Sequence, residues 1–279
     1  MSPRAFVIGW PIAHSRSPLI HTYWLRQLGL AGSYERIPVA PPDLSAFLAN
    51  LEESGFVGGN VTLPHKEKAF AACAVASPVA QRLKAVNTLW IEDGKLFGDN
   101  TDVAGFLASL DEDIPGWDKS VHKAVVLGAG GAARGIVFGL ISRGIAGIVI
   151  VNRTRARGED LQRQFPEAAI ELADYAALPE VLEEADLLVN TSSLGMVGQP
   201  PLEIDLAPLP SGAIVADIVY APLETALLRQ AAARGLRTSG GLGMLLHQAA
   251  PGFARWFGKV PQVTAELRAL VAADIADKC

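Results

Sequence analysis

The stretch Val125-Val-Leu-Gly-Ala-Gly-Gly-Ala-Ala133 decides the fold of this chain. Its apolar residues end a strand, Gly128 permits a sharp turn, and Gly130 lets backbone N–H groups approach a pyrophosphate. The small Ala133 stands where a third glycine would allow close packing of helix on strand. Tight strand-to-helix turns use glycine for geometry alone, so context has to decide. Here a strand pattern precedes the turn and a helical pattern runs on to about Arg143, the setting of a dinucleotide-binding turn.

Outward from that turn the pattern repeats. Lys123 to Leu127 reads as a strand, as do Gly147 to Val151, Leu187 to Asn190 and Ala213 to Asp217, and such βα units predict a parallel sheet covered by helices. In the first hundred residues, strands are expected at Ala5–Gly9, Tyr34–Val39 and Gly59–Thr62, and helices at Pro18–Leu28 and Leu44–Leu51. Val86–Ile91 and Lys95–Phe97 flank Asp93-Gly94, a hairpin signal. Val103–Leu110 reads as a helix, and the polar stretch 111–119 as a connector. The chain is helical again from Leu242, with a break expected at Pro251 and Gly252 because Pro251 deprives the carbonyl of His247 of a donor.

Bulk properties bound the function. The 279 residues are 50% hydrophobic and 19% charged with a formal charge of -5, and no block of Lys or Arg appears. That balance disfavours nucleic-acid and membrane partners; it is the motifs, not the composition, that point to a small-molecule substrate. Cys73 and Cys279 are too few for a disulfide framework, and the apolar run Ala5 to Trp10 is too short for a signal peptide, so a cytoplasmic protein is expected. The five histidines and two cysteines show no ligand spacing, so no metal is expected.

Candidate chemistry lies at the ends of the expected strands. Gly147–Val151 runs into Asn152-Arg-Thr-Arg-Ala-Arg157 without the acidic residue that accepts from an NAD ribose, and guanidinium groups suit a 2′-phosphate, so NADP is the expected cofactor. Lys66 closes Gly59-Asn-Val-Thr-Leu-Pro-His-Lys66 at the start of a helix, and Asp102 ends Gly98-Asp-Asn-Thr-Asp102. The two form a candidate acid/base pair. Each has a plainer reading: Lys66 as a surface lysine like Lys68, Asp102 or Thr101 as a helix cap, Asn60 and Asn87 as turn residues. Ser17 before Pro18 is a normal cap, yet two hydroxyls, Ser15 and Ser17, at a helix start also suit a carboxylate.

The sequence resembles the shikimate dehydrogenase family over essentially its full length. The matching segments are Gly9-Trp-Pro-Ile-Ala-His-Ser-Arg-Ser-Pro18, Asn60-Val-Thr-Leu-Pro-His-Lys66, Ala85-Val-Asn-Thr88, Gly98-Asp-Asn-Thr-Asp102, Gly128 to Arg134, Asn152-Arg-Thr154, Asn190 to Met196, Asp217-Ile-Val-Tyr220 and Gly241-Leu-Gly-Met244 with Gln248. The resemblance implies a two-domain α/β protein. Its N-terminal α/β substrate domain would comprise residues 1–102 with 238–279, and its Rossmann-like, doubly wound NADP domain residues 103–237.

It further implies hydride transfer at C3 between 3-dehydroshikimate and shikimate, on the route to chorismate and aromatic amino acids, in a monomer or homodimer. Lys66 would be the acid/base group and Asp102 its partner, with Ser15, Ser17, Thr62, Asn87, Asp102, Tyr220 and Gln248 around the substrate. Gly128, Ala129, Gly130, Gly131, Ala132, Asn152, Arg153, Thr154, Arg157, Ile218 and Gly241 would meet the cofactor, with Met244 near the nicotinamide. Two positions depart from the family pattern: Lys84 where relatives usually have glycine, and Gly240 where they often have Asp. Quinate/shikimate dehydrogenases are the nearest alternative. A non-catalytic NADP-binding regulator, from another class, would need neither Lys66 nor Asp102.

Overall fold

A computed structural model describes residues 2–278. The chain divides into two compact units, one formed by residues up to Asp102 with Gln248–Val271, the other by Val103–His247 with the residues from Ala272 on.

Six strands build the first unit. In chain order its elements are β1 (Arg4–Gly9), α1 (Ser17–Gln27), β2 (Ser33–Pro38), α2 (Leu44–Ala49), β3 (Phe56–Val61), α3 (Lys66–Ala72), β4 (Val75–Ala76), α4 (Pro78–Leu83), β5 (Thr88–Glu92) and β6 (Lys95–Asp99). The sheet order is β2-β1-β3-β5-β6-β4, with β2, β1 and β3 parallel and β5 antiparallel to both its neighbours. Asp93 and Gly94 take φ of 50° and 68°, the left-handed pair a two-residue hairpin demands. Phe6, Ile8, Leu44, Leu51 and Leu89 fill one core under α2 and α3. Their burial supplies the hydrophobic drive that holds helices to the sheet.

Helix α1 starts one residue earlier than its Ser17-Pro18 signal suggests. Arg16 occupies the cap position without a side-chain cap bond, and the oxygen of Ser15 accepts from Ser17 N at 3.3 Å. Ser15, not Ser17, therefore serves the helix start. The inner face of α1 carries His21, fully buried and stacked on Tyr34 with centroids 4.0 Å apart and planes 10° from parallel. Among the described residues neither nitrogen of this ring meets hydrogen-bond geometry with a partner. Burial lowers its pKa to about 3, the nearby Asn60 opposing by less.

The second unit continues with α5 (Asp102–Asp113), β7 (Lys123–Leu127), α6 (Gly131–Ser142), β8 (Gly147–Val151), α7 (Arg155–Gln164), β9 (Ala169–Ala173), α8 (Leu178–Leu182), β10 (Leu187–Asn190), β11 (Ile214–Asp217), α9 (Ala226–Ala233), β12 (Arg237–Gly240) and α10 (Gly241–His247). All six strands are parallel in the order β12-β11-β10-β7-β8-β9. The order reverses between β7 and β10, the switch point beside which doubly wound sheets bind ligands.

Residues 238–247 and 272–278, expected with the first unit, group with the second. Positions 238–240 pair with β11, Ser239 opposite Ala216, and α10 follows directly. The returning segment supplies α11 (Ala249–Phe257) and α12 (Ala265–Ala276). The helix break falls at Gln248, not at Pro251 and Gly252. Those two residues sit at the start of α11, where the N–H that Pro251 lacks would have served only the preceding helix.

Candidate active site

Strand β3 ends at Val61, and Thr62 N donates to the carbonyl of Ile8 at 2.9 Å, aligning this edge with β1. His65 is buried, and its Nε2 lies 2.7 Å from the carbonyl of Val39. A carbonyl only accepts, so Nε2 carries the hydrogen. This bond fixes the residue before α3 and brings Lys66 to the helix's first position, at the positive end of its dipole.

Lys66 Nζ donates to Asp102 Oδ2 at 2.5 Å, with the two side chains 25% and 23% exposed. The other carboxylate oxygen accepts from Asn87 Nδ2 at 2.9 Å. Asn87 Oδ1 accepts from Thr101 N at 2.8 Å, which sets the sense of the amide, and Nδ2 also reaches Gln248 Oε1 at 3.3 Å. Four residues named from the sequence, Lys66, Asp102, Asn87 and Gln248, thus form one connected group. Beneath them Tyr34 Oη donates to Asn60 Oδ1 at 2.6 Å, and Asn60 Nδ2 donates to the carbonyl of Asn87 at 3.0 Å. Thr101 and Asp102 do not serve as simple caps: their side chains go to Gln248 and Lys66. The result is an ammonium group held by a carboxylate and still accessible, the arrangement needed to exchange a proton with a ligand hydroxyl.

Ser15 and Ser17 follow β1 and Thr62 follows β3, neighbouring parallel strands, so all three stand at the same end of the sheet. Arg36 Nη2 donates to the carbonyl of Ser15 at 2.6 Å and steadies this loop. Tyr220 belongs to the second unit, just beyond β11.

In the glycine turn, the three positions differ in what they demand. Gly128 has φ of 104°, and a Cβ there would come within 3.0 Å of Thr191 Oγ1. Gly130 has φ -92° and ψ -171°, a conformation open to any residue, and a Cβ there would meet nothing within 4 Å. The fold itself does not require glycine at 130, so the space suits the close approach of a pyrophosphate. Ala133 is fully buried against the sheet side, as its small size allows.

A depression beside this turn is lined by Ala129, Gly130, Gly131, Arg134, Arg157 and Gln164, among others. Arg157 comes from α7, as the sequence suggested; Arg134, from the first turns of α6, was not singled out because its position reads simply as helix. Arg155 instead pairs with Glu159 at 3.1 Å, and Arg153 stands exposed at the strand end near Tyr175. Asn152 Nδ2 donates to the carbonyl of Thr154 at 2.7 Å and shapes the turn that presents these groups. Asp160, also at the depression, is ion-paired with Arg163. Two guanidinium groups beside an open glycine turn fit an NADP 2′-phosphate.

Gly241 has a different reason to be glycine: a Cβ there would lie 2.2 Å from the carbonyl oxygen of Ile218. The start of α10 therefore packs directly on the loop after β11, and Met244 lies one turn further on. That loop is braced by Asp217, which the sequence reading left unassigned. Asp217 is 2% exposed and accepts from Thr225 Oγ1 at 2.7 Å, Asn190 Nδ2 at 2.9 Å and Val219 N at 3.0 Å. Burial raises its carboxyl above the usual range despite these donors. The pairing of Asn190 with Asp217 at adjacent strand ends is the signal that would have exposed it.

Among the described residues, no group of three or more His, Cys, Asp or Glu is placed to hold a metal ion, and no helix is long and apolar enough to cross a membrane.

Comparison with known proteins accounts for both units. Residues 7–89 match the family model of the shikimate dehydrogenase substrate binding domain, 111–197 that of shikimate/quinate 5-dehydrogenase, and 241–270 that of the shikimate 5′-dehydrogenase C-terminal domain. A shikimate dehydrogenase (NADP(+)) from Methylocella silvestris is 65% identical over 98% of this chain and 97% of its own length. The chain belongs to the shikimate dehydrogenase family.

Solved structures in and around the shikimate dehydrogenases agree in fold. A shikimate 5-dehydrogenase from Thermus thermophilus, in complex with NADP(H) and shikimate, is 36% identical with a TM-score of 0.84, covering 99% of this chain and 100% of the other. A quinate dehydrogenase from Corynebacterium glutamicum, in complex with NAD, is 30% identical with a TM-score of 0.89, covering 98% and 99%. Lys84, a departure from the pattern the resemblance implies, ends α4 with φ 51° and ψ 37°. Glycine adopts that left-handed conformation freely, whereas a lysine there is strained.

Proposed function

We propose that this protein interconverts 3-dehydroshikimate and shikimate with NADP, working in the cytoplasm as a monomer or homodimer. The observation that carries the reading is the accessible Lys66–Asp102 pair, locked by Asn87 within a chain that also carries the open glycine turn. When bound, NADP supplies the hydride-accepting and hydride-donating nicotinamide ring.

The residues of this chain do the rest. Lys66 exchanges the proton of the substrate's C3 hydroxyl, and Asp102 orients that lysine and hydrogen-bonds the substrate. Asn87, Thr62 and Gln248 recognise ring hydroxyls, Tyr220 is assigned to the substrate as well, and Ser15 and Ser17 take the carboxylate at the start of α1. Gly128, Ala129, Gly130, Gly131 and Ala132 admit the pyrophosphate. Asn152, Arg153, Thr154 and Arg157 select the 2′-phosphate, while Ile218, Gly241 and Met244 shape the nicotinamide end.

Quinate is the competing substrate, favoured by the likeness in fold to a quinate dehydrogenase. A panel of shikimate and quinate, each with NADP and NAD, tests the reading: shikimate with NADP should give the highest kcat/KM. Turnover of quinate with NAD at least as efficient would overturn it. Arg153→Glu should weaken NADP far more than NAD, because only NADP carries the 2′-phosphate. Equal loss for both cofactors would make Arg153 a residue of the fold.

A further inference from the structure

Thr101 lies between β6 and α5 and is 3% exposed. Its N–H donates to Asn87 Oδ1 at 2.8 Å, and its hydroxyl lies 2.8 Å from the carbonyl of Gln248 and 3.1 Å from Asn87 Oδ1. A hydroxyl has one proton to give. Asn87 Oδ1 is already supplied by Thr101 N and by Thr88 Oγ1 at 3.0 Å, so the proton goes to Gln248, the closer acceptor. Thr101 thus joins three segments far apart in sequence: the start of β5, the loop entering α5, and the start of the returning chain. The next residue is Asp102.

We infer that Thr101 is a positioning residue for shikimate recognition. It fixes the sense of the Asn87 amide through its N–H and the place of Gln248 through its hydroxyl, so that both stand beside Asp102. It touches no reacting atom; it sets where Asn87, Asp102 and Gln248 point. This deepens the reading of these residues as the shikimate site and rests on it. The members are coupled: Asn87 Nδ2 donates to both Asp102 and Gln248, so a shift of Gln248 moves the donor shared with Asp102. Such networks transmit a lost bond to every member.

Thr101→Val keeps the side-chain shape and the N–H but loses the hydroxyl; Thr101→Ser keeps the hydroxyl. In steady-state assays, the valine variant should lose about tenfold or more in kcat/KM for shikimate, as expected for one buried hydrogen bond that orders a site. Its NADP dissociation constant, read by fluorescence titration, should stay within about twofold, showing an intact second unit. The serine variant should recover most of the loss. Combined with Gln248→Ala, the valine change should cost much less than it does alone, because the group it positions is gone.

Wild-type kinetic constants in the valine variant, or strictly additive losses in the double variant, overturn the inference; a lowered melting temperature alone counts with the former. Should the valine variant fail to fold, Thr101→Ala removes the same hydroxyl with no steric demand and is judged by the same constants. A wild-type enzyme that did not turn over shikimate would instead sink the proposed function and leave the fold contacts as they are.

Discussion

Asp102 and Asp217 both lie where a strand gives way to a loop or helix, and both accept from an asparagine amide, yet their surroundings differ. Asp102 shares its charge with Lys66 and keeps about a quarter of its side chain exposed. Asp217 is 2% exposed, takes three neutral donors and has a raised pKa. The difference separates chemistry from architecture better than residue type does. A carboxylate whose capacity is filled inside the protein braces a loop, whereas one that meets a cation at an accessible edge can handle a proton.

The hardest strike on this contrast is Lys66→Ala. It should lower kcat by roughly 10²–10⁴, the usual weight of a general acid/base, while NADP affinity and melting temperature stay near wild type. Lys68→Ala, at an exposed position in the same helix, should leave kcat, NADP affinity and melting temperature all near wild type. Equal loss in both variants would return Lys66 to an ordinary surface lysine.

Next come the two aspartates themselves. Asp217→Ala strands three buried donors and should cost about 3 kcal/mol of unfolding free energy in urea. Asp102→Ala should cost under about 1 kcal/mol, since partly exposed ion pairs contribute little, but should cut kcat/KM. Similar stability losses in the two variants would erase the distinction.

His21 sharpens the buried side. Its ring is neutral in the folded protein down to about pH 3, whereas in the unfolded chain it takes a proton near 6.5. Protons therefore favour the unfolded state between those values. This ring's contribution is intact above pH ~6.5 and falls by about 1.4 kcal/mol per pH unit below it. Urea unfolding of His21→Phe between pH 7 and 4 should show a shallower acid slope by one proton. An unchanged slope would mean that this ring is not the group being titrated.

The smallest effect concerns Lys84. Its left-handed conformation costs about 1–2 kcal/mol, and glycine's extra freedom in the unfolded chain returns about 0.5–1. Lys84→Gly should therefore stabilise by about 0.5 kcal/mol without moving KM for shikimate. A changed KM would tie Lys84 to the placement of Asn87, three residues on.

Much of this was legible in the sequence because it is written locally. Strands β7, β8 and β10 are short and apolar apart from Lys123 and Asn190 at their ends, and turns bound them, so their bounds follow from pattern alone. β12 and β9 were not seen: Arg237–Gly240 is polar, and Ala169–Ala173 lies at the sheet edge with exposed alternate residues. Lys66 and Asp102 stood out through their motifs, yet their pairing spans 36 positions and only the fold closes it. Thr101 was invisible for the same reason more strongly. A threonine before a helix reads as a cap, and its true acceptor lies 147 residues away. The helix break was misplaced because Pro251 signals a lost donor, and the first turn of a helix has no use for that donor.

The discontinuity of the first unit also sets a timetable. Phe253 and Trp256 on α11 complete the aromatic core around His21 and Trp24, and Trp256 Nε1 donates to the carbonyl of Leu89 at 2.9 Å. During synthesis these side chains emerge long after the strands they cover. Until then Trp24, Tyr34 and the exposed face of β3 form an unfinished surface, while β7 to β12 are made in one uninterrupted run. The nascent chain can thus assemble its middle before its beginning, and the span between residues 103 and 247 sets how long the first hundred residues wait for their last helices.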